Sequence, residues 1–138
     1  MSSMQDAITA LQAVWSGISG IKQAPAQAPE AMGDFPFAVT YPRQGHFTLQ
    51  SSAFQLEYPS LFSELHLPRV SLPDAIAAAL GYHESFKDAL LADITLGGVV
   101  HTIAPGAAQI DWIFGYLAWG GDKEAHLGFR YTIDVKLK

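Results

Sequence analysis

The chain carries five histidines, thirteen carboxylates and no cysteine, and these set what chemistry it can attempt. Without a thiol, disulfides, thiolate zinc sites and cysteine nucleophiles are excluded, and the fold does not depend on an oxidising compartment. His46, His66, His83, His101 and His126 form no H-x-x-x-H or H-x-H pair, and no carboxylate stands at ligand spacing from them. A metal would have to be gathered from distant strands, so none is expected. The catalytic carboxylate candidates are Asp93 and Asp111 near strand ends, with His101 between them. Any globular chain of this length offers such a trio, and a short acidic residue between helix and strand usually accepts from nearby backbone N–H groups. That local role is the expectation for Asp93. The pair Gly97–Gly98, beside Thr95 and Asp93, raises the question of a phosphate loop. Direction answers it. An anion needs the free N–H groups of a helix N-terminus, whereas here a helical pattern ends near Leu91 and a β-branched run follows the glycines. A helix C-terminus repels anions, and no Lys follows. No nucleophile elbow, Walker loop or dinucleotide fingerprint is present, and no cofactor is expected.

The elements that would position these residues read as α+β. Ser3 and Asp6 have capping-box spacing, and Ile8, Leu11, Val14, Trp15 and Ile18 follow at helical spacing, ended by Gly17 and Gly20. Lys22 to Asp34, with Pro25 and Pro29, has no periodicity and reads as a long extended connection, either a spacer or a functional segment. "FAVTYP" alternates Phe37, Val39 and Tyr41 on one side; Pro42 and Gly45 suggest a turn. "HFTLQ", "SAFQLEYP" and "LFSELHL" follow as separate strand candidates, the last setting Leu61, Ser63, Leu65 and Leu67 against Phe62, Glu64 and His66. Ser71 and Asp74 suggest a second capping box, with Pro73 in the first turn of a helix to about Leu91. Its expected stripe is Ile76, Ala79, Leu80, Phe86 and Leu90, and Gly81 is a possible break.

Three strand candidates close the chain: 99–104, 110–119 and 126–138. The second is apolar on both faces, with Trp112, Phe114 and Tyr116 opposite Ile113, Leu117 and Trp119. The last alternates without fault, Leu127, Phe129, Tyr131, Ile133, Val135 and Leu137 against Gly128, Arg130, Thr132, Asp134, Lys136 and Lys138. At roughly 3.4 Å per residue it is long enough to reach the edge of a domain this size. The expected fold is a mixed, mostly antiparallel sheet with two helices packed on one face and a long C-terminal β-hairpin, in a single domain over 1–138.

Composition narrows the function. At 138 residues the chain can bury a core without staples. A net charge of -5 with Lys and Arg scattered argues against a nucleic-acid binder. The N-terminus lacks the basic region of a signal peptide, and no apolar run is long enough to span a bilayer. Only 15% of residues are charged against 49% hydrophobic, which hints at apolar surface covered by partners.

The order of elements resembles the tail terminator family of long-tailed bacteriophages, related to small tail-completion and neck proteins. The resemblance rests on a helix, a Pro-rich stretch, the P-x-x-V-x-Y-P strand Pro36–Pro42, the junction "LLADITLGGVV" and the closing strand "GFRYTIDVKL". It covers nearly the whole chain as a pattern, with no single diagnostic motif. It implies a non-enzymatic virion protein, made in the host cytoplasm. Such a protein forms a ring, usually six-fold, on the head-proximal end of the tail tube, stops tube growth and docks the head connector. A neighbouring neck or adaptor protein of similar fold is the nearest alternative. An acidic ring would let DNA pass without specific binding. Two other classes stay open: a small enzyme using Asp93, His101 and Asp111, and a monomeric module taking an apolar ligand on a Trp face. If a ring forms, the expected contacts are the connection (Pro25, Pro29, Met32) and the hairpin around Trp119, Asp122 and Lys123. These two unlike surfaces are what a heterologous contact requires. The competing role for Trp119 is closing the domain's own core.

Overall fold

The computed structural model describes residues 2–51, 54–106 and 109–138. Helix α1 spans Met4–Ser16, β1 Phe37–Ser51, β2 Phe54–His66, α2 Leu72–Ala92, β3 Val100–Ile103, β4 Asp111–Leu117 and β5 His126–Leu137. The fold is α+β. All named strand pairs are antiparallel, and among the described residues the one parallel contact is an isolated bridge between Gln23 and Phe37. Strand β5 is the organiser. It pairs with β2 along one edge. Its other edge is shared end to end by β4, opposite 126–132, and β3, opposite 135–137.

The alternation of β5 decides the layers. Phe129, Tyr131, Ile133, Val135 and Leu137 are buried on the face that carries both helices, with Leu61 and Leu65 of β2. The Ser3–Asp6 capping box closes reciprocally, Ser3 N–H donating to Asp6 at 2.9 Å and Asp6 N–H to Ser3 Oγ at 3.1 Å. It satisfies two otherwise orphaned donors. From there Ala7, Ile8, Leu11 and Trp15 reach the sheet. Trp15 stacks on Phe86 of α2 at 3.8 Å between centroids and donates its indole N–H to Ser63 Oγ at 2.8 Å. Gln12 is buried and bonds the carbonyls of Pro25 and Ala38, so α1 holds the start of the connection and β1 together.

Several expectations change. Helix α2 runs unbroken through Gly81, and its buried residues are Ala75, Ala79, Phe86 and Leu90. Ile76 and Leu80 are exposed, because the side of the helix that is buried at that end presents the small Ala75 and Ala79. The Ser71 hydroxyl bonds the Asp74 carboxylate and does not cap the backbone. Pro42 and Gly45 do not make a turn. β1 continues through them with a register shift between Pro42 and Gln44, a bulge that accommodates a residue without an N–H. β1 and β2 are therefore one long hairpin instead of four pieces; Ser52 and Ala53, read as the start of a strand, lie outside the described residues. The C-terminal hairpin β4–β5 is present, but the overhang belongs to β1–β2. β5 holds β2 only over Ser60–His66, so 44–51 with 54–59 stand as a two-stranded arm about 25 Å long at the usual strand rise.

Candidate functional site

The sheet face away from the helices carries the densest polar chemistry. Period-two alternation brings Tyr41, Glu64 and Arg130 there, with His66 and His126 at the strand ends. Glu64 is fully buried. It accepts from Arg130 Nε at 2.7 Å, from His66 Nε2 at 2.8 Å and from the Tyr41 hydroxyl. Burial alone would raise the carboxyl pKa. The bonds from His66, Tyr41 and Arg130 outweigh it and hold Glu64 below the usual carboxylate range. Burial, reinforced by Glu64, pushes the Tyr41 hydroxyl up, so it stays a donor. The Arg130 guanidinium also lies over the Phe62 ring at 4.7 Å. Beyond Glu64, His66 Nδ1 shares a hydrogen bond with His126 Nδ1 at 2.9 Å, and the Asp122 carboxylate lies at ion-pair distance, 3.2 Å, from His126 Nε2.

A strap of chain covers this network. Met32, Phe37 and Val39 form a second small core, joined by Phe35, Tyr41 and Trp119. The Trp119 indole N–H donates to the Pro29 carbonyl at 2.9 Å, Gly121 N–H to Glu30 at 2.8 Å, and Met32 N–H points at the Asp122 carboxylate at 3.4 Å. The six residues expected at subunit contacts are thus placed as follows. Pro29, Met32, Trp119 and Asp122 come together in one clasp within the chain. Pro25 lies apart, its carbonyl held by Gln12, and Lys123 is exposed beside the clasp. Trp119 packs against the second core of its own chain and is still partly exposed.

The enzyme trio is not assembled. Asp93 ends α2 and accepts from Thr95 Oγ1 at 3.4 Å and, through its carbonyl, from Leu96 N–H. The contact is local, as expected, but the carboxylate takes a hydroxyl where a backbone N–H was expected, and the backbone N–H goes to the main-chain carbonyl. His101 is exposed on β3, and Asp111 opens β4, accepting from Gln109 at 3.1 Å. No hydrogen bond among the described residues joins the three. Gly97 and Gly98 have φ of +70° and +86° in the turn after α2, so they shape a helix exit and not an anion cradle. Among the described residues no cluster of three or more His, Asp or Glu side chains could hold a metal, and no helix is long and apolar enough to cross a membrane.

The spacing puts Glu64 and His66 on one face, since they are two apart in a strand, but carries no sign that the face is buried, so the network does not stand out among the candidate sites.

The remaining unusual surfaces are apolar. On β4, Trp112 is 52% exposed, Ile113 54% and Tyr116 70%, and among the described residues no strand pairs with the outer edge of β4. On the arm, Phe47 and Leu49 are 63% and 71% exposed. A hollow of about 430 Å³ lies between α2 and the β3–β4 edge, lined by Phe86, Leu90, Ile103, Ile110 and Trp112. No family model matches the chain, and no curated protein matches it in sequence.

Proposed function

We propose that this chain is a structural protein of a phage tail. It forms a ring, six-fold in the family it resembles, at the head-proximal end of the tail tube, where it ends tube growth and meets the head connector. A neighbouring neck protein of the same architecture is the closest variant of this reading, and the virion is its place of action. The observation that carries it is a pair of unlike open surfaces on one chain. One is the arm, a two-stranded ribbon that no third strand joins among the described residues and on which Phe47 and Leu49 are exposed. The other is β4, whose outer edge no described strand pairs and which carries the exposed side chains Trp112, Ile113 and Tyr116. An isolated two-stranded ribbon is marginal in water, and a long open edge invites a partner strand. Two different surfaces meeting head to tail generate a ring when the rotation closes.

The test is particle formation by the full chain, followed by light scattering and electron microscopy, alone and with isolated tail tubes. Rings of one diameter are expected. The double substitution Phe47→Asp, Leu49→Asp should leave the melting of the free subunit unchanged and abolish rings. A chain that stays monomeric at every concentration and on tubes overturns the reading. The hollow beside Trp112 supports a second reading, a site for a small apolar ligand, since its size falls in the range of about 300–1,000 Å³ typical of such sites. Binding of an alkyl or aromatic probe that quenches tryptophan emission, abolished by Trp112→Ala, would favour it.

A further inference from the structure

The hollow beside α2 carries few polar groups, and most of them are spent. Its helix wall is one face of α2, His83 and Phe86, then Lys87 and Leu90 a turn on, at the three- and four-residue steps that set side chains side by side. Thr102, Ile103, Ile110 and Trp112 line it from the sheet edge, and Tyr131 lines it from β5. Thr102 Oγ1 donates to the Ile103 carbonyl at 2.8 Å, Gln109 gives an amide N–H to Asp111 at 3.1 Å, and Lys87 pairs with Glu84 at 2.7 Å. The Tyr131 hydroxyl has one partner among the described residues, His83 Nδ1 at 2.7 Å. His83 Nε2 bonds none of them.

The His83 ring is held in place. It stacks on Phe129 at 4.9 Å and on Tyr131 at 5.7 Å, and meets the Trp112 ring edge-on at 5.3 Å. Such a ring cannot turn Nε2 elsewhere without giving up the Tyr131 bond. Burial pushes the Tyr131 hydroxyl pKa up, so it keeps its hydrogen, and a buried hydroxyl hydrogen needs an acceptor. Nδ1 is the acceptor within reach. In an imidazole that accepts at one nitrogen, the hydrogen sits on the other. Nε2–H is therefore a donor still to be used.

We propose that the hollow binds a small uncharged molecule with an aromatic or alkyl body and one oxygen acceptor, a ketone, ester or ether, whose oxygen takes the Nε2–H of His83. This rests on the reading of the hollow as an apolar ligand site and adds the class of ligand.

Charge and hydrogen bonding select against the other classes. Glu84 and Asp88 follow His83 and Lys87 on α2, Asp111 stands between Ile110 and Trp112, and all three are exposed. Lys87, the one cation among the lining residues, is already paired with Glu84. A carboxylate or phosphate ligand thus meets net negative charge. An ammonium sets donor against donor at His83. A pure hydrocarbon fills the volume but leaves Nε2–H without the partner that water gave it.

The full chain is titrated with three probes of similar size: acetophenone, ethylbenzene and benzoate. Methyl signals of Leu90 and Ile110 report on the hollow, and those of Leu49, on the arm, serve as the control. Acetophenone should move Leu90 and Ile110 and leave Leu49 in place. Benzoate should move none of them at the same concentrations. His83→Phe keeps a flat ring in the stack. It should still bind ethylbenzene, while the preference for acetophenone over ethylbenzene falls about fivefold. Wild type gives a readout that needs no variant: the ¹⁵N signal of His83 Nε2 should carry a hydrogen and shift with acetophenone but not with ethylbenzene. An unchanged preference in His83→Phe, tighter binding of benzoate than of acetophenone, or a hydrogen on Nδ1 in place of Nε2 overturns this inference and leaves the apolar site standing. Silence of all three probes at Leu90 and Ile110 overturns both.

Discussion

Glu64→Gln keeps the shape of a buried side chain and removes its charge. The carboxylate is 0% exposed and takes three donors: Arg130 Nε, His66 Nε2 and the Tyr41 hydroxyl. Gln offers one oxygen. Placed toward Arg130 and Tyr41, it turns its NH₂ toward His66, which can accept by changing tautomer. The loss is then the charge in three hydrogen bonds, each about 1 kcal/mol stronger to an ion than to a neutral acceptor. Removing one partner of a fully buried ion pair costs about 3–5 kcal/mol, and Arg130, at 28% exposed, regains part of that from water. Both routes converge on about 3 kcal/mol at pH 7. Urea unfolding with a slope of about 2 kcal/mol per molar should move its midpoint down by about 1.5 M. The folded Glu64 titrates below its ordinary value of 4.5. Its stabilisation is therefore full above 4.5 and lost as pH falls through the folded value. Wild type and Glu64→Gln should converge at acid pH. A gap below about 0.5 kcal/mol at neutrality, or one that persists undiminished in acid, refutes the claim that an ionised Glu64 ties the far face together.

Three further outcomes are expected. Trp119→Ala removes a partly buried ring and its bond to Pro29, at a cost of about 3 kcal/mol, so the melting temperature of the free subunit should fall by about 8 °C; unchanged melting with lost assembly would make it an interface anchor instead. Gly128 pairs with Gly115 and His66 in the middle of the sheet, and a Cβ there would overlap the Leu65 carbonyl, so Gly128→Ala should yield little folded protein by expression and circular dichroism. Asp93→Asn should change stability by less than about 0.5 kcal/mol, measured by the same urea titration, because its acceptor role survives in the amide.

What could be read in the sequence follows from how each core is built. The helix-side core is made of periodic elements, so Leu11, Trp15, Phe86 and the odd residues of β5 declared themselves by spacing alone. The far-side core is made of one periodic face and one aperiodic strap. The spacing placed Glu64, His66 and Arg130 opposite the leucines, but nothing in "APEAMGDFP" says that it folds back to bury them. That burial depends on contacts about 90 positions apart, Pro29 with Trp119 and Met32 with Asp122. Pro42 and Gly45 disguise the continuous β1–β2 hairpin in the sequence, because a bulge and a turn use the same residues.

The same division explains the surface. Side chains that alternate along β5 find helices on one face and the strap on the other, and these layers leave the arm and the β4 edge incompletely covered among the described residues. Apolar side chains there are half or more exposed: Phe47 and Leu49 on the arm, Trp112, Ile113 and Tyr116 on β4. Charge does not compensate, since only 15% of the residues carry one. Single exposed apolar residues are ordinary. Apolar residues gathered on an open edge and on an unsupported ribbon are not, because there the unpaired backbone and the exposed side chains call for the same partner. In the ring proposed above, a neighbouring copy would satisfy both needs at once, with one chain offering the ribbon and the next the edge.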